Sequence, residues 1–154
     1  MTSLSRKGRY ALRALYALAG HEGSPMLIAD LAARENIPRK FLEAILLELK
    51  NAGILHSKKG KGGGYALAKN PAEIVLGDVI RVIDGPLAPI PCVSEHNYVR
   101  CEECVDEATC GTRLVMKQVR DAIAQILDNT TLASALEQSA RARRQSLTQV
   151  TYAI

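Results

Sequence analysis

The sequence predicts a mainly α-helical chain with one small β-hairpin. Apolar residues recur at helical spacing in three stretches, 5–19, 38–51 and 111–129. Between the second and third, two short extended runs flank a basic, glycine-rich tip, Lys58-Lys59-Gly60-Lys61-Gly62-Gly63-Gly64. Prolines and glycines then punctuate the chain where these segments should end.

In order, residues 5–19 place Tyr10, Leu12, Leu15, Tyr16, Leu18 and Ala19 among Arg6, Arg9 and Arg13, an amphipathic helix that Ser5 can cap. Residues 20–26 are turn chemistry. A short helix follows over 27–34, with Ile28, Leu31 and Ala32 expected inside. Pro38 suits the first turn of the next helix, because its missing N–H would have no partner there. That helix runs to Asn51 with Phe41, Leu42, Ile45, Leu46 and Leu49 as its apolar stripe, and Gly53 stops it. Residues 54–57 and 65–67 form the hairpin. Helix, helix, turn, helix and basic hairpin is the order of a winged helix-turn-helix.

Pro71 opens a second region, with a short helix over 76–83 ended by Asp84-Gly85-Pro86 and a stiff loop carrying Pro86, Pro89 and Pro91. The helix at 111–129 carries Leu114, Val115, Val119, Ala122, Ile123, Ile126 and Leu127 on one side. A small chain has little to cover so long an apolar face. Pairing with its copy in a second chain is the economical solution, so a homodimer through 111–129 is expected. A last short helix spans 132–139, capped by Thr131, and the tail from Arg141 should be loose. The expected division is 1–70 winged helix-turn-helix, 71–110 connecting helix and cysteine loop, 111–140 dimerisation helix and short helix, and 141–154 flexible tail.

The 154 residues carry a net charge of +4 that is unevenly spread. Residues 1–70 hold twelve Lys or Arg against five Asp or Glu, a net of +7, while 71–154 hold eight against eleven, a net of −3. Basic charge gathered in one half is the footprint of a nucleic-acid surface; a merely solvated basic face is the alternative. In a helix-turn-helix the start of the second helix meets base edges, which here selects Arg39, Lys40 and Glu43. Arg and Lys can donate to guanine and Glu can accept from cytosine. Lys58, Lys59 and Lys61 would serve phosphates, and Gly62 would let backbone approach DNA. The tip is not a nucleotide-binding loop, since it lacks the Gly-Lys-Ser/Thr ending and no helix follows it. No secretory leader and no eighteen-residue apolar run is present, so the expectation is a cytoplasmic protein that spans no membrane. No catalytic motif is found, and His21, His56 and His96 have no carboxylate at a ligand spacing; an enzyme is not expected.

All four cysteines, Cys92, Cys101, Cys104 and Cys110, fall within one polar loop. Thiolates gathered in this way suit an iron–sulfur cluster or zinc. A thiol pair acting without metal is the rival, and a structural disulfide is disfavoured in a reducing compartment. Glu95, Glu102, Glu103, Asp106 and Glu107 crowd the loop; they oppose further negative charge and tend to raise thiol pKa values. His96 is a possible substitute ligand.

The chain resembles the IscR/NsrR-type family of dimeric winged-helix transcriptional regulators. The residues that carry the likeness are Leu4-Ser5-Arg6-Lys7-Gly8-Arg9-Tyr10-Ala11-Leu12-Arg13, Ile28-Ala29-Asp30-Leu31-Ala32, Phe41-Leu42-Glu43, Lys59-Gly60-Lys61-Gly62-Gly63-Gly64-Tyr65 and Leu76-Gly77-Asp78-Val79-Ile80. The resemblance implies a long dimerisation helix, imperfectly palindromic promoter DNA as partner, and an iron–sulfur cluster controlling DNA binding, 2Fe-2S ahead of 4Fe-4S. On that pattern Cys92, Cys104 and Cys110 match the family's cysteine trio and Cys101 is additional. Two departures stand out: Arg113 occupies a place where relatives carry a ligating histidine, and Arg9 a place where others carry an acidic ligand. The alternatives to cluster control are a metal-independent thiol-redox regulator on the same fold and a non-specific nucleic-acid- or protein-binding adaptor.

Overall fold

The structure, a computed structural model, describes residues 4–21 and 23–151; Glu22 of the 20–26 turn and residues 152–154 of the tail lie outside that set. Helix α1 spans Arg6–Ala19, and the Ser5 side chain accepts the Gly8 N–H as its N-cap. Ala11, Ala14, Leu15 and Leu18 fall on one face of it and are buried. Helix α2 spans Ile28–Glu35 and stops at Asn36, whose left-handed backbone (φ 49°) turns the chain. Helix α3 spans Arg39–Asn51. Pro38 is its N-cap, one position before the first turn in which the sequence placed it.

Leu42, Ile45, Leu46 and Leu49 of α3 are enclosed, as their spacing requires. Phe41 is not part of that stripe. It stays 40% exposed and packs edge-on against Tyr10, with ring centroids 5.7 Å apart. In α2 only Leu31 is buried, while Ile28 and Ala32 pack at the core's margin.

Strands β1 (Leu55–Lys58) and β2 (Gly64–Leu67) pair antiparallel, from Leu55 opposite Leu67 to Lys58 opposite Gly64. Met26, just before α2, adds a single bridge to this hairpin by exchanging both backbone hydrogen bonds with Tyr65 at 2.9 Å. Gly64 makes the approach feasible. Its φ is 136°, and a Cβ there would lie 2.2 Å from the Met26 carbonyl oxygen.

Helix α4 spans Leu76–Asp84, α5 spans Gly111–Asp128 and α6 spans Leu132–Thr151. Leu132 closes the main core, to which α1, α3 and α4 contribute most. Arg81 of α4 forks onto Asp128 at the end of α5, at 2.7 and 2.8 Å, which lowers the Asp128 pKa. The last helix is the largest departure from expectation: it continues past residue 139 and the supposed loose tail is helical to Thr151. Residues 135–144 are rich in Ala, Arg, Glu and Gln, good helix formers, and Glu137 pairs with Arg141 one turn on. Thr131 caps this helix as expected, its hydroxyl accepting the Ser134 N–H while the Ser134 hydroxyl takes the Thr131 N–H.

Candidate nucleic-acid interface and cysteine loop

The first turn of α3 and the hairpin tip present the basic surface. Arg39, Lys40 and Glu43 are all exposed. Arg39 and Glu43 are not independent groups: the guanidinium Nε donates to the Glu43 carboxylate at 3.1 Å across one helical turn. The i, i+4 spacing is the signal that could have revealed this pair from the sequence. Lys58, Lys59 and Lys61 are exposed, and Lys58 lies on β1 rather than in the tip. Gly62 has φ 71°, a left-handed turn that lets the tip fold back sharply. Lys7 of α1 holds Glu48 of α3 at 2.7 Å, so the recognition candidates sit on a helix tied to α1 by charge as well as by packing. That link was not anticipated.

The four cysteines separate into distinct surroundings. Cys92 is buried against Ala88 and Val93, with Ile90 and Met116 closing over it, an apolar niche between the proline loop and α5. Arg113, standing where a ligating histidine was considered, donates from Nε to the Cys92 carbonyl at 3.3 Å and so fastens α5 to the loop. Cys101 is exposed, and its carbonyl accepts the Cys104 N–H at 3.3 Å. Cys104 and Cys110 are close enough for each sulfur to perturb the other's ionisation.

Local chemistry explains that proximity. Asp106 accepts the Ala108 N–H at 3.0 Å and the Thr109 hydroxyl at 2.8 Å, an Asx turn that folds the chain back so that Cys110 meets Cys104. Partial desolvation, then the neighbouring Cys110 sulfur, and lastly Glu107 push the Cys104 thiol up. Cys110 moves the other way, drawn down chiefly by the Arg113 backbone N–H at the start of α5, where the helix dipole favours negative charge. Of the crowded acids, Glu107 alone bears on Cys104, as the weakest of the causes there.

A four-thiolate centre needs its donors to converge. Among the described residues no three His, Cys, Asp or Glu side chains gather in a metal-holding group. Cys92 faces an apolar niche, Cys101 faces solvent, and the exposed His96 joins no such group. Arg9 lies exposed on α1. As folded, this donor set does not fit an iron–sulfur cluster or a zinc ion; it forms one thiol pair with two separate cysteines. No helix among the described residues is long and apolar enough to cross a membrane.

A helix-turn-helix with a stapled wing, followed by a cysteine loop and a long helix, defines a class of DNA-binding transcriptional regulator rather than a catalyst. The chain belongs to the Rrf2 family, described as iron-dependent transcriptional regulators, whose model matches residues 4–138. It is similar to an rrf2-like HTH-type transcriptional regulator of Rhodobacter capsulatus, 40% identical, with 86% of this chain and 91% of the relative covered. Among solved structures it resembles CymR, the global cysteine regulator of B. subtilis (TM-score 0.73, 34% identity, 90% of this chain and 98% of that one). It also resembles IscR of T. potens (TM-score 0.71, 30% identity, 91% and 90%).

Proposed function

We propose that this chain is a homodimeric regulator that reads a two-fold promoter site with α3 and the wing, and answers to the oxidation state of the Cys104–Cys110 pair. The sensing half rests on the Asp106 turn immediately before α5, which brings the Cys110 sulfur near enough to Cys104 for each to perturb the other. On the DNA side, Arg39, Lys40 and Glu43 would meet base edges, with Lys58, Lys59, Lys61 and the Gly62 backbone on phosphates. The dimer would form through α5, whose apolar residues Val115, Val119 and Ile126 stand exposed on one chain.

The chemistry balances with a peroxide as oxidant. The Cys110 sulfur attacks one peroxide oxygen, the O–O bond breaks, and the departing oxygen leaves as water after taking a proton. The resulting sulfenic acid is attacked by the Cys104 sulfur, which forms the S–S bond and releases a second water. Two thiols lose two electrons and two protons, and one hydrogen peroxide becomes two waters. Likeness to a cysteine regulator speaks for sulfur as the signal. The family's iron-dependent description supports a second reading, a cluster on Cys92, Cys104 and Cys110 with Cys101 as an additional ligand, which requires Cys92 to leave its niche.

Anaerobic purification with iron, zinc and acid-labile sulfide analysis, followed by peroxide titration with disulfide mapping and DNA-binding measurements, separates these readings. The expected result is no stoichiometric metal or sulfide, one Cys104–Cys110 disulfide, and an altered affinity for a duplex selected from a random pool. Iron with sulfide and visible absorption bands would overturn the thiol reading in favour of the cluster.

A further inference from the structure

We infer that Ser5 and Asp84 form the joint through which the cysteine loop sets the position of the DNA-binding helices, an inference that rests on the thiol-switch reading above. Asp84 is the last residue of α4, and Gly85 (φ 86°) breaks the helix immediately after it into the proline loop that leads to Cys92. The Asp84 carboxylate accepts two bonds from Ser5, 79 residues away: the Ser5 N–H donates to Oδ2 at 2.9 Å and its hydroxyl donates to Oδ1. That same hydroxyl accepts the Gly8 N–H at 2.9 Å, so one side chain both caps α1 and binds α4.

Gly8 makes the close approach possible. A Cβ there would lie 2.7 Å from Asp84 Oδ2 and 2.8 Å from a Leu4 methyl carbon, so a larger residue would push the Asp84 carboxylate off the first turn of α1. One residue before Gly8, Lys7 grips Glu48 of α3. The first turn of α1 is therefore held on one side by the end of α4 and on the other by the helix that carries Arg39, Lys40 and Glu43. At the far end of the proline loop, Arg113 fastens the Cys92 carbonyl to α5, three residues beyond Cys110. Drawing Cys104 and Cys110 into a disulfide pulls at the start of α5, and the contiguous path runs through Arg113, the proline loop and Asp84 to Ser5. Coupling along this path is read as a change in one site's affinity caused by the state of the other. Asp84 and Ser5 are positioning residues here; neither touches DNA or thiol.

The test compares the full-length parent with Asp84→Ala, Asp84→Asn and Ser5→Ala. Each is assayed fully reduced and after peroxide, with disulfide content counted and affinity for the selected duplex measured in both states. The expected result for Asp84→Ala is a normal disulfide, reduced-state affinity within about threefold of the parent, and an oxidised-to-reduced affinity ratio that collapses toward one. Ser5→Ala, which leaves the backbone donor to Asp84, should give an intermediate ratio, and Asp84→Asn, which keeps an acceptor, should recover most of it. A merely structural role would weaken both states equally and leave the ratio unchanged. That outcome in Asp84→Ala, or in Ser5→Ala should the former fail to fold, overturns the joint alone. A parent that forms its disulfide without any change in DNA affinity overturns the switch itself, and the joint with it.

Discussion

Along α3, Leu42, Ile45, Leu46 and Leu49 are enclosed within a single chain, whereas α5, 18 residues against 13, encloses none of its side chains. Both helices are amphipathic, so the difference is not one of local pattern. It lies in what surrounds them. Helices α1, α2 and α4 and the hairpin form walls around α3. Helix α5 rests on the margin of α4 and the turn at Cys92, reaches the core's edge through Leu127, and is tied by the Arg81–Asp128 fork and the Arg120–Glu95 pair. An apolar helix face that one chain leaves uncovered stores a requirement for a second chain. The apolar face of α3 is filled within one chain, whereas that of α5 is left open beside the cysteine loop.

The largest effect should come from cutting into the self-contained half. Leu46→Ala removes a fully enclosed side chain and should destabilise by about 2–5 kcal/mol, seen in urea unfolding. If the winged region is self-sufficient, that loss should not depend on protein concentration. A loss that shrinks as concentration rises would erase the contrast.

Next comes Ile126→Glu on α5, where a side chain now 67% exposed would be forced into the proposed interface as a charge. It should weaken dimerisation by about 2 kcal/mol or more while leaving the winged core's stability nearly unchanged. Sedimentation velocity across a dilution series reads the first effect and urea unfolding the second. A stable dimer in this variant would move the interface away from α5.

Smaller effects sharpen the DNA-facing side. Lys61→Ala should lower the slope of log affinity against log salt by roughly one phosphate contact, whatever the sequence bound. Glu43→Ala should relax preference at one base pair by about 1–3 kcal/mol and also release Arg39 from its pair. Competition footprinting over a salt series distinguishes them. If both variants act alike, the division between base-reading and phosphate contacts is wrong.

Much of this was legible in the sequence for a physical reason: helix and hairpin signals are local. Ser5 before a basic amphipathic run, Gly53 after α3, and the glycines of the tip each announce themselves within a few residues. What stayed hidden was contact between segments distant in sequence. Nothing around Ser5 indicates Asp84, and nothing around Cys92 indicates a niche lined by Met116. Clustering in sequence suggested that four cysteines would converge; the loop's own turns decided otherwise, because Asp106 draws Cys110 to Cys104 while the proline loop carries Cys92 under α5. The long α6 escaped because the sequence over 141–151 opens with three arginines and has few apolar residues. Polarity reads as looseness until helix propensity and the Glu137–Arg141 pair are weighed.

The bridge between Met26 and Tyr65 turns the wing into a fixed caliper. Because the segment entering α2 is bonded to the hairpin from both its N–H and its carbonyl, the distance between the tip lysines and the start of α3 is set by the backbone rather than by side-chain reach. If those two parts read DNA as proposed, the bridge resists opening them to follow a duplex of altered groove width. Sequences that hold the matching width without deformation gain over those that must be bent to it, even at base pairs no side chain touches.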